Sequence, residues 1–183
     1  MNYKSECLTY REFKEGDFHL FHSVFSNEKV MKYALVEKFD RGYSLSYFNK
    51  VLANNILGEN RKAYEFAVYL SSSSIFIGFA DIEIQNRKNL SGCGEIGYFL
   101  LPSFWGNGFA CEIANTLLEI SFRHIKLHRV SASCNSNNIQ SENIMKKIGM
   151  IKEGEFRKVR YKNGQWDNEL RYSILVEDWI LCN

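Results

Sequence analysis

The sequence has one proline, no paired cysteines, no run of like charge and no long apolar stretch. Each absence removes a class of protein. With only Pro102 and no Pro/Gly/Ser-rich tract, there is no linker to separate domains, so one domain over residues 1–183 is expected. The five cysteines, Cys7, Cys93, Cys111, Cys134 and Cys182, are odd in number and form no CxxC pair. That spacing suits neither a disulfide framework nor a zinc site, and free, mostly buried thiols in a reducing compartment are expected. Twenty-three basic and 21 acidic side chains leave a net charge of +2, which offers no electrostatic footing for nucleic acid or an anionic membrane. The start, MNYKSECLTYREF, lacks the apolar core of a signal peptide, and no run approaches the roughly 18 apolar residues of a membrane span. The expected location is the cytoplasm, and no metal is expected.

Hydrophobic periodicity sets a coarse order of elements. Residues 7–13 alternate like a strand. Residues 15–34 place Phe18, Phe21, Val24 and Phe25 on a helical stripe, and residues 44–57 read as a second helix. AYEFAVYL (63–70) and SIFIGFADIEI (74–84) are strands on either side of a serine loop, followed by a strand over 92–101. A helix over 106–124, a strand over 129–135 and a short helix over 138–148 come next. Strands over 152–161 and 166–176 close the chain, joined across Lys162-Asn163-Gly164, where Asn-Gly signals a tight turn. The pattern predicts an α/β domain with a mixed sheet of about seven strands and about four helices.

One stretch carries chemistry. FWGNGFACE sets Gly106 and Gly108 between an apolar strand and a helix. Two readings are open at this point. The glycines can serve a bare strand-to-helix turn, or they can let backbone N–H groups at a helix start approach an anion. The motif is neither GxGxxG nor GxxxxGK[ST], so neither nucleotide fingerprint applies. A second segment, NNIQSENIMKKIGM (137–150), follows the next strand.

Taken in order, LTYREFKEGDFHLFHSVFSNEKVMKY, EIGYFLLPSFWGNGFACE and NNIQSENIMKKIGM resemble the GNAT superfamily of acetyl-CoA-dependent N-acetyltransferases. Within it the chain is most similar to the branch of bacterial ribosomal-protein N-terminal alanine and serine acetyltransferases. One departure stands out: Trp105 occupies the first loop position, where the superfamily usually has Gln or Arg.

The resemblance implies a sheet splayed at the acetyl-CoA site. The pantetheine arm would hydrogen-bond to Phe99, Leu100 and Leu101 like an added strand. Trp105, Gly106, Asn107, Gly108, Phe109 and Ala110 would hold the pyrophosphate, Trp105 through its backbone amide. Asn138 would bond a pantetheine amide, and Ser141 would donate to the departing sulfur. Glu95 is the expected base, with Asp81 and Glu83 as reserves. The Ser and Asn residues equally suit helix caps.

The implied reaction is direct attack of an amine on the thioester in a ternary complex, so no cysteine has to act as nucleophile. The preferred acceptor is a protein N-terminal α-amine. A small amine such as a polyamine, amino sugar or antibiotic is the alternative, which an acidic lining would favour. A non-catalytic acyl-CoA-binding module and a nucleotide-binding module are the rivals. Phe25, Tyr33, Tyr43 and Phe48 are the expected liners of the acceptor cleft. His19 and His22 lie three apart without a third ligand and read as packing residues. A monomer or a homodimer fits equally.

Overall fold

Eight strands form where about seven were expected. They are β1 (Asn2–Lys4), β2 (Leu8–Glu12), β3 (Ala63–Leu70), β4 (Phe76–Asn86), β5 (Cys93–Leu100), β6 (Arg129–Asn135), β7 (Ile151–Lys162) and β8 (Gln165–Leu175). The computed structural model describes residues 1–86, 92–162 and 164–182. Its strands lie in one sheet in the order β1-β2-β3-β4-β5-β6-β8-β7. Every pair is antiparallel except β5 with β6. The turn expected at Lys162-Asn163-Gly164 includes Asn163, which lies outside the described residues. The hairpin ladder runs to Lys162↔Gln165.

The α-helices are α1 (Phe18–Phe25), α2 (Glu28–Met31), α3 (Arg41–Asn55), α4 (Phe109–Glu119), α5 (Ile139–Lys147) and α6 (Val176–Cys182). Six therefore replace about four, and two differences have local causes. The expected helix over 15–34 breaks because Asn27 starts a new one, accepting the Lys29 and Val30 N–H groups at 3.0 and 3.3 Å. The expected helix over 106–124 starts late because Gly106 and Gly108 hold φ of 78° and 82°, outside the right-handed helix. It ends in one wide turn, in which the Ile125 N–H reaches back to Ile120 O at 3.0 Å.

The sheet separates two cores. On one face Phe13, Phe21, Phe25, Phe48 and Phe79 pack beneath α1 and α3. On the other, Ile82, Ile96, Ile113, Leu117 and Leu118 pack beneath α4. Complete burial of a leucine contributes about 1.5–3 kcal/mol, so Leu117 and Leu118 alone hold α4 firmly. Phe25 and Phe48 are therefore core residues and Tyr43 is 57% exposed; of the four aromatics expected at the cleft, Tyr33 lines it. The cysteines also depart from expectation. Cys7 is exposed, Cys93 and Cys111 are half-buried, and Cys134 is the buried thiol among the four described. His22 Nδ1 meets Ser44 Oγ at 2.8 Å and His19 Nδ1 meets Gly16 O at 3.1 Å, both as packing contacts. Among the described residues no helix is long and apolar enough to cross a membrane.

Candidate active site

β5 and β6 begin as parallel partners and then part. They pair at Cys93↔Arg129, Gly94↔Val130 and Glu95↔Ser131, and the remainder of both strands diverges. A cleft of about 720 Å³ opens there. Main-chain direction decides what faces it. Leu101 N–H donates to Ile77 O of the β4 side at 2.9 Å. Antiparallel alternation then turns Phe99 and Gly97 toward β4 as well, and Ile96, Tyr98 and Leu100 toward the gap. Two contacts agree with this phase: Ser131 Oγ donates to Gly94 O at 3.1 Å, and Trp105 Nε1 donates to Leu100 O at 2.8 Å. Of Phe99, Leu100 and Leu101, then, only Leu100 offers main-chain groups to an added strand. Ile96 and Tyr98 are the neighbours that the sequence reading missed.

The glycine turn sits at the far end of the same strand. Asn107 Nδ2 donates to Trp105 O at 3.0 Å, shaping the loop. The Trp105 amide already donates to Pro102 O at 3.2 Å, so it is not free for a phosphate and the available amides begin at Gly106. No side chain caps α4. Cys111 and Glu112 N–H reach Gly108 O at 3.0 and 3.2 Å, while those of Phe109 and Ala110 lie ahead of the first helical turn's acceptors. A Cβ at Gly106 or Gly108 would meet nothing within 4 Å, so the space before the helix is open. Glu112 Oε1 accepts from Ser5 Oγ at 2.6 Å and from the Cys7 N–H at 2.7 Å, which fastens the first turn of α4 to the loop after β1.

Asn138 and Ser141 lie at the start of α5 and both line the cleft. Their capping roles separate. Asn138 Oδ1 accepts the Ser141 N–H at 3.2 Å, so Asn138 is the cap. Ser141 is the capped residue, and its hydroxyl is left for Tyr98. Burial pushes the Tyr98 phenol up to about 12, against the opposing hydrogen bond with Ser141. Tyr98 thus keeps its proton beside Ser141 at any physiological pH.

The opposite face of the strands carries carboxylates. Cross-strand partners share a face, so Glu65, Asp81 and Gly97 form one row, and Glu83 and Glu95 the next. Gly97 matters for its missing side chain: a Cβ there would stand 2.5 Å from Asp81 Oδ1. The Asp81 carboxylate fills that space, one row beyond the last paired residue, Glu95. Glu95 also lines the cleft, and its Oε2 accepts from Gln85 Nε2 at 2.8 Å. Lys29 and Lys32 line the cleft as well. Of the expected site residues, Glu95, Phe99, Leu100, Trp105, Ala110, Asn138 and Ser141 line one cleft together with the reserve bases Asp81 and Glu83. Leu101 and the loop residues Gly106, Asn107, Gly108 and Phe109 are not part of its lining. Tyr98 is the addition, and Glu65 pairs with Asp81 across the ladder behind it.

Burial raises Asp81 well above the usual carboxylate range, and Glu65, Glu83 and Glu95 raise it further. Glu65 is only 5% exposed. Burial lifts it to about 7 and Glu83 adds to the rise, while hydrogen bonds with Asn54 and Tyr47 oppose it. A carboxyl that holds its proton more tightly when folded favours the fold at low pH, below its ordinary value of 4.5. That contribution is lost as pH rises through about 7. Above it the ionised Glu65 costs about 3 kcal/mol by linkage. Glu65→Gln is therefore expected to raise the unfolding midpoint clearly at pH 8 and little at pH 4.5. Denaturant unfolding at the two pH values checks this, and equal shifts at both would exclude ionisation as the cause.

Among the described residues no group of three His, Cys, Asp or Glu side chains is placed to hold a metal ion. The Acetyltransferase (GNAT) domain family matches residues 8–151. The uncharacterised N-acetyltransferase YnaD of Bacillus subtilis is 32% identical over 98% of this chain and 99% of its own. Solved structures that share the fold include two of named activity. Spermidine N-acetyltransferase from Vibrio cholerae, in complex with CoA and spermine, has a TM-score of 0.84 at 22% identity, covering 96% of this chain and 99% of that one. Ribosomal-protein-S5-alanine acetyltransferase from Vibrio fischeri has a TM-score of 0.82 at 22% identity, covering 98% of each. With a family match over most of its length and a full-length relative at this identity, the chain belongs to the GNAT family and is an acetyl-CoA N-acetyltransferase.

Proposed function

We propose that this enzyme acetylates a small cationic amine in the cytoplasm, and that residues 1–183 act as one catalytic domain. The observation that carries the acceptor class is the pair of carboxylate rows on one face of the strands, with Asp81, Glu83 and Glu95 lining the cleft and Glu65 beside Asp81. An alkyl amine enters as an ammonium ion, near the lysine value of 10.4, and has to lose a proton before it can attack. A protein N-terminal α-amine, near 7.7–8.0, is already substantially neutral and needs far less help from a base. A base with a raised proton affinity suits the first acceptor better. The polyamine enzyme among the fold neighbours points the same way, and the ribosomal one makes the N-terminal amine the alternative to exclude.

Acetyl-CoA supplies the activated thioester carbon. The α4 amides from Gly106 to Ala110 hold its pyrophosphate. The outward main-chain groups of Ile96, Tyr98 and Leu100 align the pantetheine, helped by the free Asn138 amide nitrogen. Acetyl-CoA then lies on the α4–α5 side of the sheet and the acceptor enters from the α1–α3 side. Asp81 takes the ammonium proton. It stands at the split itself, whereas Glu95 lies one row back, where the strands still pair, and is engaged by Gln85. The nitrogen lone pair forms the new C–N bond, the C–S bond breaks, and Ser141, backed by Tyr98, donates to the departing sulfur.

The test is acetyl transfer from acetyl-CoA to a mixed panel of spermidine, a diamine, an amino sugar and Ala- and Ser-initiated peptides, read by mass spectrometry. Acetylated spermidine or diamine is the expected result. Modification of the peptides alone would replace the acceptor class with protein N-termini. Binding of acetyl-CoA with no product would favour a non-catalytic module, and equal binding of ATP would overturn the phosphate assignment.

A further inference from the structure

Lys162 ends β7, near the tip of the β7–β8 hairpin, on a different element from the cleft carboxylates and from the glycine turn. An ammonium group has three N–H donors. All three of Lys162's go to main-chain carbonyls of one distant segment: Met31 O at 2.7 Å, Val36 O at 2.9 Å and Ala34 O at 3.0 Å. Two residues back on the same strand, Arg160 Nη1 donates to Leu35 O at 2.7 Å. Arg160 and Lys162 share a side of β7 because strand side chains alternate. Four carbonyls between residues 31 and 36 are thus gripped by two side chains of the hairpin.

The grip is rigidly mounted. Arg160 also donates to Glu169 through Nε at 2.9 Å and pairs with it through Nη2 at 2.8 Å. Glu169 is only 1% exposed and is held from its other oxygen by Arg171 Nε at 2.8 Å. The gripped segment joins α2 to α3. Its far end is stitched locally by Phe39 N–H to Phe25 O at 3.0 Å and by Lys38 to Glu28 at 2.8 Å. Tyr33, Ala34 and Leu35 of its middle line the cleft on the acceptor side of the sheet. The cation therefore spends every donor on setting the position of one cleft wall. Burial pulls Lys162 below the usual lysine range, with Glu37 and Asp167 opposing the fall.

We propose that Lys162, seconded by Arg160, is a positioning residue that fixes the 31–36 wall of the acceptor site, so that it governs amine recognition and leaves acetyl-CoA binding alone. This rests on the reading that the amine enters on the α1–α3 side.

The experiment compares wild type, Lys162→Met and Lys162→Arg, with spermidine and an Ala-initiated peptide as acceptor probes. Methionine keeps the apolar stem and removes the donors. For the probe that wild type acetylates, Lys162→Met is expected to raise the acceptor KM about tenfold or more with kcat nearly unchanged. Acetyl-CoA affinity, measured by calorimetry, is expected to stay at the wild-type value. Hydrogen exchange is expected to quicken at the amides of residues 31–38 and not in β3–β5. Lys162→Arg, which restores donors, is expected to recover most of both effects. Unchanged exchange at residues 31–38 would overturn the grip. Faster exchange there with an unchanged acceptor KM would overturn the positioning role, as would an equal loss of acetyl-CoA affinity. If wild type acetylates neither probe while binding acetyl-CoA, the acceptor reading has failed, and the exchange data decide the grip on their own.

Discussion

Gly108→Glu loses acetyl-CoA binding by more than about 100-fold, a loss read directly by calorimetry with CoA. Backbone strain and charge act together. Gly108 holds φ of 82°, which a residue with a Cβ adopts only at a cost of about 1 kcal/mol. Charge contributes more. The Gly106 and Gly108 Cβ directions point into open space ahead of α4, where the unpaired Phe109 and Ala110 amides and the helix dipole would meet the pyrophosphate. A carboxylate there takes the phosphate's place and repels it. Gly108→Asn separates strain from charge, because asparagine tolerates the left-handed region and is neutral. It is expected to keep most of the affinity. CoA affinity retained by the glutamate variant would mean that the turn is only a turn.

The parts of the site that were legible in the sequence are those fixed by local chain direction. Two glycines before an amphipathic helix and an Asn-x-x-Ser helix start are short-range patterns; Trp105 and Ala110 on either side of the glycines, and Asn138 and Ser141, line the cleft. Asn27 carried a signal that periodicity passed over: as a cap residue ahead of Glu28 and Lys29 it divides what was expected to be one helix. Glu65 left a signal as the one charged residue in AYEFAVYL, a strand otherwise suited to burial. What it did there depended on its partners across the ladder, Asp81 and then Gly97, and register is a property of the sheet. The phase of β5 is of the same kind. Whether Leu100 or Leu101 turns its amide to the gap is decided by which one bonds Ile77. The grip of Lys162 on residues 31–36 spans more than a hundred residues of chain and has no local trace at all.

Asp81→Asn is expected to lower kcat about 100-fold or more, the usual contribution of a positioned base, with acetyl-CoA affinity unchanged. Glu95→Gln is expected to stay within a few-fold of wild type, because Glu95 lies where β5 and β6 still pair. The pH profile carries the sharper information. As the proposed base Asp81 has to be ionised, and burial and three neighbouring carboxylates all oppose its ionisation. Wild-type kcat/KM should therefore climb with pH across and above neutrality. The acceptor's own deprotonation has the same sign, so the comparison between variants is what isolates the enzyme group. In Asp81→Asn only the amine's titration should remain. In Glu65→Gln one of the charges opposing Asp81 is gone, so the climb should begin at lower pH while the maximal rate is kept. A climb that does not move in Glu65→Gln would uncouple the two carboxyls. Wild-type turnover in Asp81→Asn, or a greater loss in Glu95→Gln, would return the proton to Glu95 or to water.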